Sequence, residues 1–338
     1  MTVSWDELVR VGDPGLGQQV TLMAPALTIS FYLQEVDYDG VAQLYAEAMK
    51  LIEPGLTHYQ AESMKRPAKI SPRALGMIPT WMRKPKEFHS YWWEAHGGAD
   101  LGQSPPGLEL LLLASAIGSP EQKKQAIENA LEGANQREIN GHAIRSAIRI
   151  LLPVDHELGR AEALARWLTS LDLLKRGTFG SIEACFGLAA STSVDRETAR
   201  REQAACSRYP GLDAFRYSHS GQVRVDRDYP DMIPLVRRPA WTNVLHELTL
   251  RALGGEATIR TQLADAPEVR VTAFEHGVIV QAGDRPELGD LNRGDLLPVL
   301  RQVAQVLGPV RARKLVEAEA ERHPFWEQFF NTFEKSYQ

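Results

Sequence analysis

Apolar positions in this chain switch between two spacings, and the switches mark its elements. "ALTISFYLQ" (26–34) alternates and is rich in β-formers, which predicts a strand. From residue 37 the period becomes helical. Val41, Leu44, Tyr45, Ala48, Met49 and Ile52 share one face, and Asp37 and Asp39 are both placed to cap the helix. "GLTHYQAES" returns to a strand pattern. Residues 65–107 are rich in proline and carry Trp81, Tyr91, Trp92 and Trp93, so they read as a long packed loop with short helical pieces. "GLELLLLASA" (107–116) is apolar throughout and predicts a buried strand.

A polar stretch follows at 119–140. Ser119 and Pro120 signal the start of a helix there. "HAIRSAIRILLP" predicts a strand ended by Pro153, "GRAEALARWLTSLDLLKRG" an amphipathic helix stopped by Gly177, and "TFGSIEACFGLA" a further strand. Strand–helix–strand thus occurs at 26–62 and at 142–190, and each unit is followed by Pro-Gly-Leu-acid, at 106–109 and 210–213. Beyond this, "WTNVLHELTLRALGG" (241–255) has a helical period closed by Gly254, and "EATIRTQLA" predicts a short helix. "VRVTAFEHGVIVQAG" predicts a hairpin turning at His276 and Gly277. Three more helices are expected, over "LLPVLRQVAQVLGPV", 311–322 and the aromatic "HPFWEQFFNTF". The expected fold class is α+β: mixed antiparallel sheet flanked by helices, with a possible duplication of a strand-helix-strand unit. One compact domain over 1–338 is expected, with pseudo-repeat halves at 22–118 and 141–333.

Composition narrows the function classes. The chain has 338 residues, 43% hydrophobic and 24% charged, which suits a soluble protein with a sizeable core. Its formal net charge of −5, without a basic stripe, argues against a nucleic-acid partner. Two cysteines make no disulfide framework, and Cys185, in an apolar stretch, reads as a small core residue. The acidic N-terminus does not read as a signal peptide, and the longest apolar run is too short to be expected to span a membrane. A cytoplasmic protein without a membrane partner is expected.

The stretch "VIVQAGDRPELGDLNRGD" (278–295) concentrates possible chemistry, with Asp284, Glu287, Asp290 and Asp295 among glycines. The four acids fit no calcium-loop register, and no histidine forms an H-E-x-x-H pair. G-x-S-x-G and the phosphate-loop pattern are also absent. No catalytic residue, metal site or cofactor is therefore expected. Asp295 stands where it would cap the next helix, and Asp290-Leu-Asn-Arg-Gly makes a turn.

Residues 241–333 resemble the type VI secretion immunity family, long catalogued as a domain of unknown function. The resemblance rests on a Trp-led helix ending in Leu-Gly-Gly (Trp241, Gly254, Gly255) and a strand running into Gln-Ala-Gly-x-x-Pro-x-x-Gly-Asp-x-Asn (Gln281 to Asn292, with Gly283, Pro286 and Gly289). Pro309-Val-Arg311 and a late Trp326 complete it. Where the family commonly has Trp-Leu-x-Arg-Phe, this chain reads "FWEQFFNTF", without the arginine. The resemblance extends more weakly over 22–215. It implies a protein that binds and blocks a cognate type VI effector toxin, a nuclease for some members and a lipase for others. With no signal peptide, a cytoplasm-acting nuclease is the expected target.

Under this reading 278–295 is mainly scaffold. Gly283 and Gly289 supply unusual backbone, Pro286 rigidifies the turn, and side chains of Asp290 and Asn292 hold it together. Trp241 and Trp326 anchor the core. The acids Asp284, Glu287, Asp290 and Asp295 remain candidate partner contacts, and 65–107, with Arg83, Lys84 and Trp92, is a second candidate region. Two alternatives stay open: an adaptor or chaperone that loads an effector, and a hydrolase using the acidic loop. Oligomeric state has no trace in the sequence.

Overall fold

A computed structural model describes residues 10–12, 19–21, 23–33, 37–62, 64–84, 91–97, 104–112, 146–190, 204–213, 223–225, 232–236 and 238–311. The helices expected at 119–140, at 311–322 and around Trp326 lie outside the described residues. In chain order the strands are β1 (Arg10–Gly12), β2 (Gln19–Thr21), β3 (Met23–Leu33), β4 (His58–Ala61), β5 (Ala68–Lys69), β6 (Tyr91–Gly97), β7 (Ser104–Leu112) and β8 (Ser146–Leu152). They continue with β9 (Ser181–Ala190), β10 (Leu212–Asp213), β11 (Val223–Val225), β12 (Met232–Pro234), β13 (Thr242–His246), β14 (Val269–Phe274) and β15 (Gly277–Ala282). The helices are α1 (Tyr38–Ile52), α2 (Pro72–Leu75), α3 (Met77–Arg83), α4 (Ala161–Ser170), α5 (Asp172–Lys175), α6 (Glu247–Ala252), α7 (Glu256–Gln262) and α8 (Pro298–Leu307).

The fold is α+β, built on one 11-stranded sheet in the order β14-β15-β13-β9-β3-β8-β7-β6-β4-β5. β10 joins β9 in parallel, and the other pairings are antiparallel. β3 is the spine. Its 11 residues pair with β8 on one side and β9 on the other. Its alternation sorts Leu27, Ile29, Phe31 and Leu33 into the main core, with Thr28 and Ser30 on the opposite face. Helix α1 covers the main core with the six positions its period predicts, plus Gly40. Asp37 is its cap, accepting from the Gly40 amide at 3.0 Å, while Asp39 sits inside the first turn. A Cβ on Gly40 would lie 2.6 Å from Leu173, so glycine lets α5 pack against the start of α1. A second core, around Leu245, Val278, Val280, Ile259, Val303 and Leu307, lies under α7 and α8.

Four elements differ from their sequence pattern. The expected helix over 241–255 is half strand: β13 takes Thr242–His246 before α6 begins. All five β13 residues are buried, because the strand has neighbours on both edges (β9 and β15) and core on both faces. Burial on both faces removes the polar alternation, and Trp241, Val244, Leu245 and Leu248 then mimic a helical period. The aromatic run expected as loop is strand β6, with Tyr91, Trp93 and Ala95 in the main core. The helix expected to run to Gly177 breaks at Leu171, whose ψ is 136°, and the break buries Leu171, Leu173 and Leu174 together. The hairpin turns one residue early, at Glu275 and His276, since Gly277 already pairs with Phe274.

The face of the sheet opposite α1 carries a polar row. Gln60, Glu94, Glu109, Arg149, Ser30, Glu183 and Asn243 stand in cross-strand register over seven strands. Glu94, Arg149 and Glu183 are buried, and each has a partner; Arg149 lies 3.6 Å from Glu109. Buried charge persists only where it is paired, so this row is a structural feature of the sheet.

Candidate functional site

The acidic stretch leaves the sheet at the end of β15, and its first residues are tied down by main-chain contacts. Gly283 has φ +87°, and its amide donates to the Glu268 carbonyl at 3.2 Å. Its own carbonyl accepts from Trp241 Nε1 at 3.2 Å. The Asp284 carbonyl accepts from the Ala161 amide at 2.8 Å and so joins the loop to the start of α4. Pro286 is buried beneath the turn. The carboxylate of Asp284 points the other way, lying 3.3 Å from Arg270 with both groups about half exposed.

A second anchor comes from 208–213. The Gly211 amide donates to the Leu288 carbonyl at 2.8 Å. A Cβ on Gly211 would stand 1.9 Å from the Glu287 carbonyl oxygen, so only glycine permits this approach. Buried Arg238 braces the same segment from behind, donating to the Leu212 carbonyl at 2.8 Å and the Gly211 carbonyl at 3.4 Å. Arg208 then reaches over to Asp290 in a two-pronged pair, Nε at 3.1 Å and Nη2 at 2.9 Å.

Asp290 is thereby separated from the other three acids. Besides Arg208 it accepts from the Asn292 amide at 3.1 Å, and Arg293 stands 3.5 Å away. The Arg208 hydrogen bonds, more than any other contact, hold its carboxyl below the usual carboxylate range. It caps the short 3-10 turn Leu291–Arg293, which Gly294 ends at φ +73°. Asn292 contributes only its backbone amide to this turn, and its side chain is exposed, contrary to the bond the sequence suggested. Asp295 does not cap α8 as expected. It accepts from the Leu297 amide at 3.3 Å, and Leu297 adopts φ +49° before α8 starts at Pro298. That left-handed residue turns the chain and moves the helix start beyond the reach of Asp295.

Asp284, Glu287 and Asp295 are exposed. Partial burial, and then the charge of Asp295, push the Glu287 carboxyl upward, so these two acids feel each other. Gly289 has φ +64° and Gly254 and Gly255 have φ +82° and +91°, while Trp241 is buried. The arrangement offers three surface carboxylates on a braced loop, suited to meeting a partner's cations. Among the described residues, no group of three or more His, Cys, Asp or Glu is placed to hold a metal ion, and no helix is long and apolar enough to cross a membrane. Sequence reasoning missed Arg208, Gly211 and Arg238. The only trace was the "PGLD" echo, noted there as a repeat and here forming the loop's seat.

The family description "Type VI immunity for VRR-NUC", TsiV, matches residues 110–335, more than half of the chain. The chain belongs to the TsiV family. No curated protein sequence matches it. Among solved structures, the fold is similar to "Pseudomonas aeruginosa T6SS protein PA0821", with a TM-score of 0.68 and 15% identity over 96% of this chain and 87% of that one. At that identity the likeness concerns the fold alone. The braced loop, its Arg208 anchor and the Gly254-Gly255 pair all fall within the TsiV match.

Proposed function

We propose that this protein binds a type VI effector nuclease in the cytoplasm and neutralises it by covering its active site, without catalysis of its own. The observation that carries the reading is the TsiV match, whose description couples type VI immunity to VRR-NUC. The loop supports it with exposed Asp284, Glu287 and Asp295, and the chain's net charge of −5 favours approach to a basic nucleic-acid cleft. A rigid surface loses less conformational entropy on binding and so blocks more tightly. The Gly211, Arg208 and Ala161 contacts supply that rigidity by holding the loop at three points. Co-expression tests this reading. A VRR-NUC nuclease encoded beside this protein should arrest growth alone, and growth should return when this chain is produced with it. Continued arrest in the presence of abundant folded protein would contradict it. Deletion that blocks effector secretion while leaving the cells protected would indicate a loading adaptor instead.

A further inference from the structure

Opposite the acidic loop, at the other edge of the sheet, lies a surface of the other sign. From Met64 to Lys84 the chain has six basic residues and no acid. Lys65 and Arg66 lead into β5, Lys69 ends it, Arg73 is on α2, and Arg83 and Lys84 close α3. All six are exposed, and among the described residues none is in an ion pair; Arg83 Nε donates to the Pro79 carbonyl at 3.2 Å. Exposed Glu62 borders the patch. Between the charges, Met64, Ile70, Met77 and Trp81 are half buried against the main core, and Trp81 stacks on Tyr91 at 5.1 Å. Exposed Arg around half-buried Trp and Met is the make-up of a protein-binding surface, whose core is enriched in aromatics, Met and Arg, and the lysines add charge that would steer an acidic partner.

We propose that residues 64–84 form a docking surface for an acidic face of the effector protein. The inference rests on the immunity reading and adds a second contact to it. Protein is favoured over nucleic acid because the interleaved groups are half-buried packing residues and the whole chain is net negative. The acidic loop leaves β15, eight strand spacings from β5, which places this surface on the order of 40 Å from it along the sheet. Several Debye lengths lie between them at physiological salt, so charge changes at one edge leave the field at the other intact.

The test is association kinetics with a catalytically inactivated form of the VRR-NUC nuclease that the protein protects against, at low and high salt. Two charge-reversal variants are compared, K65E/R66E/K69E and R73E/K84E, which alter separate elements and only exposed side chains. Each should slow association about tenfold or more at low salt and flatten its salt dependence, with dissociation changed less. Wild-type association rates in both variants would overturn the proposal. So would charge-dependent binding of a labelled DNA duplex to this patch with effector association unchanged, which would assign it to nucleic acid. Failure of the wild-type protein to bind the nuclease would instead remove the immunity reading, and this inference with it.

Discussion

Acidification should destabilise this protein through His96. The ring sits on β6 opposite His58 of β4, with their centroids 6.4 Å apart. It is 7% exposed, and its Nδ1 has no hydrogen-bond partner among the described residues. Burial first, and the neighbouring His58 second, lower its pKa from 6.5 to about 4. The folded pKa lies below the unfolded one, so as pH falls the unfolded chain takes up the proton first. The stability contribution is intact above the unfolded pKa and is lost as pH falls from 6.5 towards about 4. At about 1.4 kcal/mol per pH unit, moving from about pH 7 to about pH 5 should cost about 2 kcal/mol. Urea unfolding of the wild-type protein and of His96→Gln at both pH values measures this. Burial also lowers the pKa of His156, but His156 is unchanged in the variant, so the difference between the two proteins isolates His96. Equal losses in both proteins would show that His96 is not the group responsible.

Gly211→Ala should cost about 2–4 kcal/mol, read as a lowered urea midpoint, because its methyl would meet the Glu287 carbonyl and break the bond to Leu288. A midpoint equal to wild type would show that the loop is not seated there. Asp290→Asn should destabilise at neutral pH, and its deficit should shrink in strong acid. The carboxyl's depressed pKa gives a contribution that is present above its unfolded value and lost as pH falls through the folded one. Thermal unfolding across pH checks the trend, and a constant deficit would contradict it. Trp241→Phe loses the Nε1 bond to Gly283 and also part of the buried indole volume, for about 2–3 kcal/mol in chemical denaturation. Asp284→Asn, by contrast, removes only a half-exposed pair with Arg270 and should change stability by less than about 1 kcal/mol.

The elements most legible in the sequence were those whose signals are local. Helix α1 carries its cap, its period and its buried face within sixteen residues, and β3 shows its alternation outright. β13 was illegible because a strand covered on both faces and paired on both edges has no polar side to reveal its period. β6 was hidden by its aromatic run, where only pairing with β4 and β7 sorts Trp93 inward and Trp92 to the other face. At the acidic loop the glycines announced themselves, and Gly283 and Gly289 have the positive φ their positions suggested. What separates Asp290 from its three neighbours was beyond reach. Its partner Arg208 is 82 residues away, and nothing in either segment alone points to the other. Leu297 was unforeseeable for the opposite reason, since nothing about a leucine before proline predicts φ +49°.

A chain that blocks a nuclease by occupying it must do so at a fixed ratio. The most direct measurement titrates purified VRR-NUC nuclease with this protein and follows DNA cleavage together with the mass of the complex. Cleavage should fall to zero at a fixed equivalence point that coincides with a complex of defined stoichiometry. Full cleavage with a saturated complex would mean binding without neutralisation and would rule out an inhibitor that works by occlusion.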